Sequence, residues 1–384
     1  MIVTIEDLRR SARRRLPRAV FDFIDGGAED ESTLRANRSA FQRVTFRPRV
    51  LVDVSKRDLS TTVLGASLTA PIILAPTGLA GLIAPRGEIL AARAAVRRGL
   101  GFTLSTHSMT SIEELAEAVP GPKWFQLYVV RDREVTRSLI DRARAAGYTG
   151  LCLTADVPVI GQRERDIRNG FTIPPRVTLQ NVFDTAQKVP WIINALRGPR
   201  VTFKNFIDAP GSGRSDAISL GAYAQSLHDP SVSWKDLEWF RSVWQGPMLL
   251  KGVMSAEDAR VAVEHGVEAI VVSNHGGRQL EGLPSSLEVL PEVAEAVAGR
   301  ADVVFDGGIR RGGDIVKALA LGATACMVGR AFLYGLAARG EAGVERALDI
   351  LVAEMDRAMA LLGRPTIGDL DRTAVNTARL FAEG

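Results

Sequence analysis

The chain has 384 residues, of which 46% are hydrophobic and 24% are charged, and its formal net charge at pH 7 is +4. This composition can bury the core of one large α/β domain or two ordinary ones, and it excludes a disordered tail or an acidic activation segment. A charge of +4 over this length does not indicate a nucleic-acid partner, because arginines dispersed on amphipathic helices give the same total. No apolar run approaches the ~20 residues of a membrane span, and no secretory signal precedes the first arginines. The sequence therefore predicts a cytoplasmic protein.

Residues 1–70 are predicted to form an N-terminal extension, helical across "TIEDLRRSARRRLPRAVFDFIDGG" at positions 4–27. Its arginine run is typical of a solvated helix face. The two cysteines, Cys152 and Cys326, both lie in apolar runs. We interpret them as small core residues, not as a disulfide or a metal cluster, and no metal is expected.

From residue 71 to 384 short apolar runs alternate with longer amphipathic segments. Continuous hydrophobicity indicates strands that are buried on both faces, as in a parallel sheet. Eight strand–helix units in series predict an α/β fold of the TIM (β/α)8 barrel type. The candidate strands are "PIILAP", "GFTLST", "WFQLYV", "GLCLTAD", "PMLLKGV", "AIVVSNHGG", "VVFDGG" and "ACMVGRAF".

A long insertion, from about 169 to 230, separates the fourth strand from its helix "SWKDLEWFRSVW". Loops of this length usually carry a function or are disordered. The insertion contains an apolar and basic piece, "KVPWIINALRGPRVTFKNF". Two interpretations stay open: a helix folded onto the barrel mouth, or a patch that rests on a membrane or a partner.

Polar residues follow the predicted strands at the end where barrel enzymes place their active sites. A ring of polar and charged residues at these positions indicates a polar site, because an isolated buried charge destabilises a core. In chain order the ring contains Pro76, Thr77, Gly78, Ser105, His107, Gln126, Tyr128, Thr154, Asp156, Arg163, Lys251, Ser273, His275, Arg278, Asp306, Gly308, Gly329 and Arg330.

The segment "DGGIRRGGDIVKAL" places glycines and arginines between the seventh strand and its helix. Exposed backbone N–H groups and guanidinium groups suit a phosphate, and barrels commonly bind phosphate after strands seven and eight. Together with Arg310 and Arg330, this pattern predicts a phosphate site.

The sixth strand ends in "SNHGGR", which contains His275 and Arg278. A neutral imidazole can accept a proton, whereas a guanidinium group grips a carboxylate with two donors. Asp156 is available to orient the imidazole, and Arg163 supplies a second cation. Lys251 is a fixed positive charge that could stabilise negative charge on a cofactor.

These motifs resemble the FMN-dependent L-2-hydroxy acid oxidases and dehydrogenases, a family that includes glycolate oxidase, quinone-linked L-lactate dehydrogenase and mandelate dehydrogenase. The resemblance covers nearly the whole chain, and "SNHGGRQL" together with "DGGIRRG" is its most specific part. It implies that His275 is the base with Asp156 as its partner. Arg278 and Arg163 would hold the substrate carboxylate, and Tyr128 would donate a hydrogen bond to the substrate.

The resemblance also implies an FMN site. Lys251 would lie by the N1 end of the flavin. The remaining contacts to the ring, ribityl chain and phosphate would come from Pro76, Thr77, Gly78, Ser105, Gln126, Thr154, Ser273, Asp306, Gly308, Arg310, Gly329 and Arg330.

Two positions depart from the family pattern. Phe23 stands where many members have a tyrosine, so one hydrogen bond to the carboxylate is lost and a more apolar pocket is indicated. His107 stands where small-substrate members often have a tryptophan; it is either a wall residue, which we favour, or a second titrating group. Gly78 and the apolar insertion resemble the lactate and mandelate dehydrogenase branch, whose insertion mediates membrane association.

The sequence thus predicts an FMN-dependent dehydrogenase that oxidises an L-2-hydroxy acid of the lactate or mandelate type and reduces a quinone. Peripheral contact with the inner face of the cell membrane is expected through residues of about 180–210, and the family tendency is a homotetramer. The alternatives are a soluble oxidase that produces H2O2 from O2, a flavin-dependent isomerase, and a catalytically silent barrel scaffold.

Overall fold

The computed structural model describes residues 1–171, 179–207 and 228–381. Its centre is a closed barrel of eight parallel strands, in which each strand pairs with the next one along the chain and the last pairs with the first. The predicted TIM barrel is therefore confirmed. In chain order the barrel strands are β1 (Ile72–Leu74), β2 (Gly101–Ser105), β3 (Trp124–Leu127), β4 (Gly150–Thr154), β5 (Met248–Val253), β6 (Ala269–Val272), β7 (Asp302–Asp306) and β8 (Ala325–Val328).

The strands are apolar throughout because both faces of the barrel wall are covered. Every residue of β1, β3, β4, β6 and β8 is buried. Ile73, Leu249 and Met327 belong to a cluster inside the barrel. An antiparallel hairpin, Thr61–Val63 with Ala66–Leu68, adds Val63 to the same cluster. Cys152 and Cys326 are both buried free thiols, as the sequence indicates.

Helices surround the barrel, and we number them in chain order. The N-terminal extension contributes α1 (Ile5–Arg15), α2 (Arg18–Asp25) and α3 (Ser32–Arg43). The others are α4 (Ala80–Ile83), α5 (Gly87–Arg97), α6 (Ile112–Ala118), α7 (Arg133–Ala145), α8 (Glu164–Arg168), α9 (Leu179–Ala186), α10 (Val189–Arg197), α11 (Lys204–Ile207), α12 (Asp236–Val243), α13 (Ala256–Glu264), α14 (Ser286–Val297), α15 (Gly312–Ala320), α16 (Arg330–Arg339) and α17 (Glu341–Leu362).

Local sequence explains where these helices begin and end. Thr4 caps α1 in a capping box with Asp7, and Ser255 caps α13 by accepting from the Asp258 N–H. Each cap satisfies backbone donors that the first turn leaves unpaired. The segment at 4–27 is two helices, because Pro17 has no N–H group and its ring cannot continue α1. Pro17 is the N-cap of α2 instead.

The N-terminal extension lies across the mouth of the barrel. Asp25 at the end of α2 accepts two hydrogen bonds from Arg9, at 2.6 and 2.8 Å, and one from the Tyr334 hydroxyl at 2.7 Å. The Ala28 N–H donates to the Gly277 carbonyl oxygen at 2.8 Å. The extension is thereby joined both to α16 and to the loop that follows β6.

The insertion after β4 contains α9, α10 and α11, and its segments 172–178 and 208–227 lie outside the described residues. The Trp191 indole N–H donates to the Leu82 carbonyl oxygen at 2.9 Å, which fixes α10 beside the barrel mouth. Helix α10 thus lies where the first of the two sequence interpretations, a helix folded onto the barrel mouth, predicts a helix.

Candidate active site

A cleft opens at the carboxyl ends of the barrel strands. Gln126, Thr154, Asp156 and Ser273 lie behind its lining. The predicted site residues that line the cleft are Pro76, Thr77, Gly78, Ser105, Tyr128, Arg163, Lys251, His275, Arg278, Asp306, Gly308, Arg310, Gly329 and Arg330.

His275 and Asp156 form a close pair. The Nδ1 atom of His275 lies 3.1 Å from both carboxylate oxygens of Asp156, and its Nε2 atom lies 3.4 Å from the Tyr128 hydroxyl. Burial lowers the pKa of His275 below its ordinary value, although Asp156 opposes this shift. The pKa of Asp156 is also lowered, because the charges of His275 and Lys251 outweigh its burial. The pair therefore rests as a carboxylate and a neutral imidazole whose Nε2 faces Tyr128.

The loop that holds His275 has an unusual backbone. His275 has φ of +57°, and Gly276 and Gly277 follow at +64° and +71°. A left-handed conformation is rare for a residue with a Cβ atom, so it persists only where the surroundings fix it. A Cβ on Gly277 would approach the Leu34 backbone nitrogen to 2.6 Å. Glycine is therefore required where this loop meets the N-terminal extension.

Three guanidinium groups converge on the cleft, from Arg163, Arg278 and Arg330. Burial lowers the pKa of Arg278 well below its ordinary value, and repulsion from Arg163 and Arg330 adds to this effect. Arginine nevertheless stays protonated in proteins. Three cations this close in a desolvated cleft form a strongly electropositive site that suits an anion.

The N-terminal extension orients two of these cations. Arg278 donates through Nη1 to the carbonyl oxygens of Phe23 and Gly26, at 2.7 and 3.0 Å. Arg330 donates through Nη1 to Gly276 at 2.9 Å and through Nη2 to Gly26 at 2.7 Å. Among the residues that the structure describes, the buried Nε atoms of Arg163 and Arg330 have no hydrogen-bond partner.

A buried charged chain follows the ends of β5, β6 and β7. Lys251 donates to the Ser273 hydroxyl at 3.0 Å, and Ser273 donates to Asp306 at 2.7 Å. Burial alone would lower the pKa of Lys251, but the negative charges of Asp156 and Asp306 outweigh burial and raise this pKa above its ordinary value. Lys251 is therefore a permanent positive charge at the floor of the cleft.

A second polar chain crosses the ends of β2, β3 and β4. The Ser105 hydroxyl donates to Gln126 at 3.0 Å, and the Gln126 amide donates to the Thr154 hydroxyl at 3.0 Å. All three side chains are buried. Their fixed orientation suits hydrogen bonding to a planar heterocycle above them.

The loops after β7 and β8 form the end of the cleft that is rich in glycine and arginine. Gly307 and Gly308 have φ of +123° and +78°, and a Cβ on Gly308 would approach the Asn37 carbonyl oxygen to 2.1 Å. Arg310 lies over the Tyr334 ring, with its Cζ atom 5.4 Å from the ring centroid. The N-terminus of α16 and the unpartnered Nε of Arg330 face the same end. The residues present thus fit FMN: cations for its phosphate, and the two buried polar chains for its ring.

Sequence reasoning did not identify one wall of the cleft. His228 and Phe203 come from the insertion and line the cleft beside His107. The His107 ring lies 4.7 Å from Phe203 and 5.4 Å from His228, centroid to centroid. Burial, with repulsion from His228 and Arg163, lowers the pKa of His107 to about 3. His107 is therefore a neutral wall residue, which agrees with the interpretation we favoured.

Comparison with known proteins agrees with this geometry. A family model described as FMN-dependent dehydrogenase matches residues 12–377. The chain is 46% identical to an L-lactate dehydrogenase of Caulobacter sp. (strain K31), over 97% of this chain and 98% of that protein. It is 44% identical to an L-lactate oxidase of Nostoc sp. (strain PCC 7120), over 96% of each. A crystal structure of the monotopic membrane protein (S)-mandelate dehydrogenase superposes with a TM-score of 0.92 at 42% identity, covering 98% of this chain and 99% of the other.

The fold and the site together define a flavin-dependent barrel oxidoreductase. The chain belongs to the FMN-dependent dehydrogenase family, and it is an FMN-dependent enzyme that oxidises 2-hydroxy acids. The sequence predictions of the family, the cofactor and the enzyme class are confirmed.

Proposed function

We propose that the enzyme oxidises an L-2-hydroxy acid of the lactate or mandelate type to the 2-oxo acid, and that its electrons pass to a membrane quinone. The observation that carries this proposal is the contact between His275 and Asp156 at 3.1 Å, next to the cations Arg163 and Arg278 in one cleft. A base and two carboxylate-binding groups are what a 2-hydroxy acid oxidation requires.

The first step in this proposal is substrate binding. Arg278 and Arg163 bind the substrate carboxylate, since the carbonyl contacts of Arg278 use only its Nη1 atom among the described residues. The hydroxyl of Tyr128 donates to the substrate; burial raises its pKa to about 12, so it stays protonated at neutral pH. Phe23 offers no hydroxyl to the carboxylate and instead lies against the Arg278 guanidinium, 5.2 Å from the ring centroid to Cζ.

The second step is proton removal. His275 accepts a proton from the substrate at Nε2, because its Nδ1 is occupied by Asp156. The Asp156 carboxylate then stabilises the imidazolium that forms. A neutral imidazole is ready to act at neutral pH, since burial lowers its pKa.

FMN, when bound, supplies the acceptor for the two electrons that leave the substrate. Lys251, Gln126, Ser105, Thr154 and Ser273 would hold its ring. Its ribityl chain and phosphate would be held by Asp306, Gly308, Arg310, Gly329 and Arg330, while Pro76, Thr77 and Gly78 would lie beside the ring. The positive charge of Lys251 favours electron transfer into that region, because it is buried and fixed.

The substrate side chain would lie against an apolar wall. Phe23 stacks on Phe171 with centroids 4.8 Å apart, and Val157, Ile160 and Phe203 line the cleft nearby. These residues favour an apolar or aromatic side chain over a charged one.

The quinone proposal depends on α9 and α10. These helices expose apolar side chains, including Phe183 at 74% and Leu196 at 82% of their full surface. We call this the insert surface, and its residues are Val182, Phe183, Val189, Ile193 and Leu196. An exposed apolar helix face with flanking basic residues is typical of an interfacial membrane contact. No helix in the described ranges is long and apolar enough to cross a bilayer. Three of the residues in the predicted 180–210 contact, 208–210, lie outside the description.

An anaerobic substrate screen tests the substrate proposal. The purified yellow enzyme is mixed with L-lactate, L-mandelate, glycolate and longer 2-hydroxy acids, and bleaching of the flavin is followed. We expect fast bleaching by L-lactate or L-mandelate. Bleaching by glycolate alone would contradict the proposal.

The second candidate function is an oxidase that returns electrons to O2 and releases H2O2, which the similarity to a lactate oxidase favours. Stopped-flow mixing of the reduced enzyme with O2 or with a soluble quinone separates the two. We expect the quinone to reoxidise the flavin faster, and fast reoxidation by O2 alone would overturn the dehydrogenase proposal.

A further inference from the structure

Helix α3 of the N-terminal extension contacts two loops of the site at once. Asn37 lies on the inner face of this helix and is buried. The next residue, Arg38, is half-buried. The first contacts the loop after β6, which contains His275, and the second contacts the loop after β7, which contains Gly308. Neither residue belongs to the set that the sequence singled out.

Asn37 and Asn274 form a reciprocal amide pair. The Asn37 side chain donates to the Asn274 side-chain oxygen at 2.8 Å, and the Asn274 side chain donates back to Asn37 at 2.9 Å. Both residues are buried, so neither amide can exchange its partner for bulk water. Asn274 immediately precedes His275 in the chain.

Asn274 in turn fixes both sides of the His275 turn. Its side-chain oxygen accepts from the Gly277 N–H at 3.2 Å, and its side-chain nitrogen also donates to the Pro284 carbonyl oxygen at 3.1 Å. The left-handed turn at 275–277 is thereby closed by a side chain that Asn37 holds with two of its four hydrogen bonds. Without Asn37, the Asn274 amide keeps Gly277 and Pro284 as partners but loses the reciprocal pair.

Arg38 makes a separate contact. Its Nη1 atom donates to the Gly308 carbonyl oxygen and to the Asp314 carboxylate, the latter at 2.9 Å. Asp314 also accepts from the backbone N–H groups of Arg310 and Arg311, at 2.9 and 3.0 Å. Arg38 and Asp314 therefore hold the glycine-rich loop as a pair, Arg38 through the Gly308 carbonyl and Asp314 through the backbone N–H groups of Arg310 and Arg311.

We propose that α3 is a positioning element with two separable contacts: Asn37 sets the orientation of the His275 loop, and Arg38 sets the shape of the loop that binds the FMN phosphate. The first half rests on the proposed role of His275 as the base. Neither residue faces the reacting atoms, so both act through the loops that they hold.

Asn37→Ala tests the first contact. We expect the rate of anaerobic flavin reduction at saturating substrate to fall by about 10- to 100-fold, because a misplacement of about 1 Å can cost that much. The substrate KM and the FMN dissociation constant should change less than about threefold, since Arg278 is held by Phe23 and Gly26. Asn37→Ser, which keeps a small polar group but cannot form the reciprocal amide pair, is the second variant if Asn37→Ala does not fold, and the same loss is expected from it.

The pH dependence of kcat/KM distinguishes a positioning role of Asn37 from a purely structural role, because only the former should shift it. The titratable and charged groups that face His275 are Asp156, Lys251, Tyr128, Arg163 and His228. Loosening the loop admits water, so the acid limb of kcat/KM should move toward higher pH in Asn37→Ala as the effect of burial on the His275 pKa weakens.

Arg38→Ala tests the second contact. Titration of the apoprotein with FMN, followed by the quenching of flavin fluorescence, should show affinity weakened about tenfold or more. At saturating FMN the rate of flavin reduction should stay within about threefold of the parent enzyme. Two exposed residues of the same helix give matched controls: Ser39→Ala for Asn37→Ala, and Arg35→Ala for Arg38→Ala. Both controls should leave all three quantities unchanged.

Three results would overturn the proposal. Normal flavin reduction in Asn37→Ala, normal FMN affinity in Arg38→Ala, or parallel losses of both quantities in each variant would show that α3 has no separable positioning role. Failure of the proposed base would show differently, as normal flavin reduction in His275→Asn, and the two failures are therefore distinguishable.

Discussion

The loop after β6 and the insert surface are both extensions of barrel strands, yet they are built in opposite ways. The loop at 273–278 is enclosed by buried partners and has a backbone that only those partners can maintain. The insert surface presents Phe183 and Leu196 to solvent and is fixed to the barrel through Trp191. In the first region a left-handed backbone is held in one arrangement by its buried partners, and in the second a set of apolar side chains is exposed.

This difference in construction agrees with the two roles that we propose for these regions, chemistry for the loop and membrane contact for the insert surface. Chemistry requires atoms held to within a fraction of an ångström, so its loop is anchored from several elements. Attachment to a membrane, which we propose for the insert surface, requires apolar area and not exact geometry, and exposed apolar side chains on two short helices can supply it. Substitutions in the loop should therefore change rates, and those in the insert surface should change location.

The largest expected effect comes from His275→Asn, which breaks the chemical side of the comparison. Asparagine keeps polarity but cannot accept the proton, so flavin reduction should slow by about 100- to 10,000-fold. Anaerobic stopped-flow absorbance measures this rate. The variant should stay yellow with unchanged FMN content, and near-normal reduction would refute the base assignment.

Asp156→Asn should have the next largest effect, a loss of roughly 100-fold in kcat/KM, because the amide cannot stabilise the imidazolium. Asp156 raises the pKa of His275 against the effect of burial. Its removal therefore lowers that pKa further, and the acid limb of the kcat/KM profile should move to lower pH. Asp141→Asn, at a half-buried position paired with Arg144 on the outside of α7, is the control and should leave the profile in place. An acid limb that does not move would contradict the pairing.

The double substitution Phe183→Ser with Leu196→Ser addresses the other side of the comparison. Burial of each large apolar side chain contributes about 1.5–3 kcal/mol, so partitioning onto anionic vesicles should weaken about tenfold or more. The rate with a soluble acceptor should stay within about twofold. Leu361→Ser, which removes an apolar side chain 73% exposed on α17, is the matched control. If the parent enzyme does not bind vesicles in a sedimentation assay, the membrane proposal fails.

Gly78→Ala tests how tightly the site side of the comparison is packed, and it should have the smallest effect of the four substitutions. A Cβ at this position would lie 3.0 Å from the His107 carbonyl oxygen and 3.1 Å from the His107 Cβ. Such overpacking typically costs about 1–3 kcal/mol, so the free energy of unfolding should fall by that amount in denaturant titration. Gly368→Ala, whose Cβ would meet only Thr366 at 3.8 Å, should leave stability nearly unchanged. An unchanged free energy of unfolding in both variants would contradict this prediction, because it would show that His107 moves aside without a cost.

The barrel could be predicted from sequence because its signals are local. Continuous apolar runs such as β4 and β8 identify strands, and chain order fixes their neighbours in a closed parallel barrel. The polar ring could be predicted as well, because all the strands of such a barrel end at the same face. His275 and Asp156 could therefore be placed at the same end of the barrel although 119 positions separate them.

The residues that sequence reasoning missed depend on contacts without a local pattern. His228 and Phe203 reach the cleft from an insertion with no periodicity, so no spacing indicated them. Asn37 did leave a signal: Thr33, Asn37 and Phe41 form one buried stripe on α3, and two of the three are polar. Buried polar residues on an apolar face require partners, but the sequence cannot say that the partner is Asn274, 237 positions away.

That separation has a consequence for how the molecule is made. Helix α3 emerges from the ribosome early, whereas Asn274 and Gly308 are translated much later, so the amide pair and the Gly308 contact form only when most of the barrel exists. Contacts of such long sequence separation form slowly in folding. A nascent chain can thus acquire most of its strands before it has a shaped site, and competence for catalysis arrives as one of the last events in the maturation of the chain.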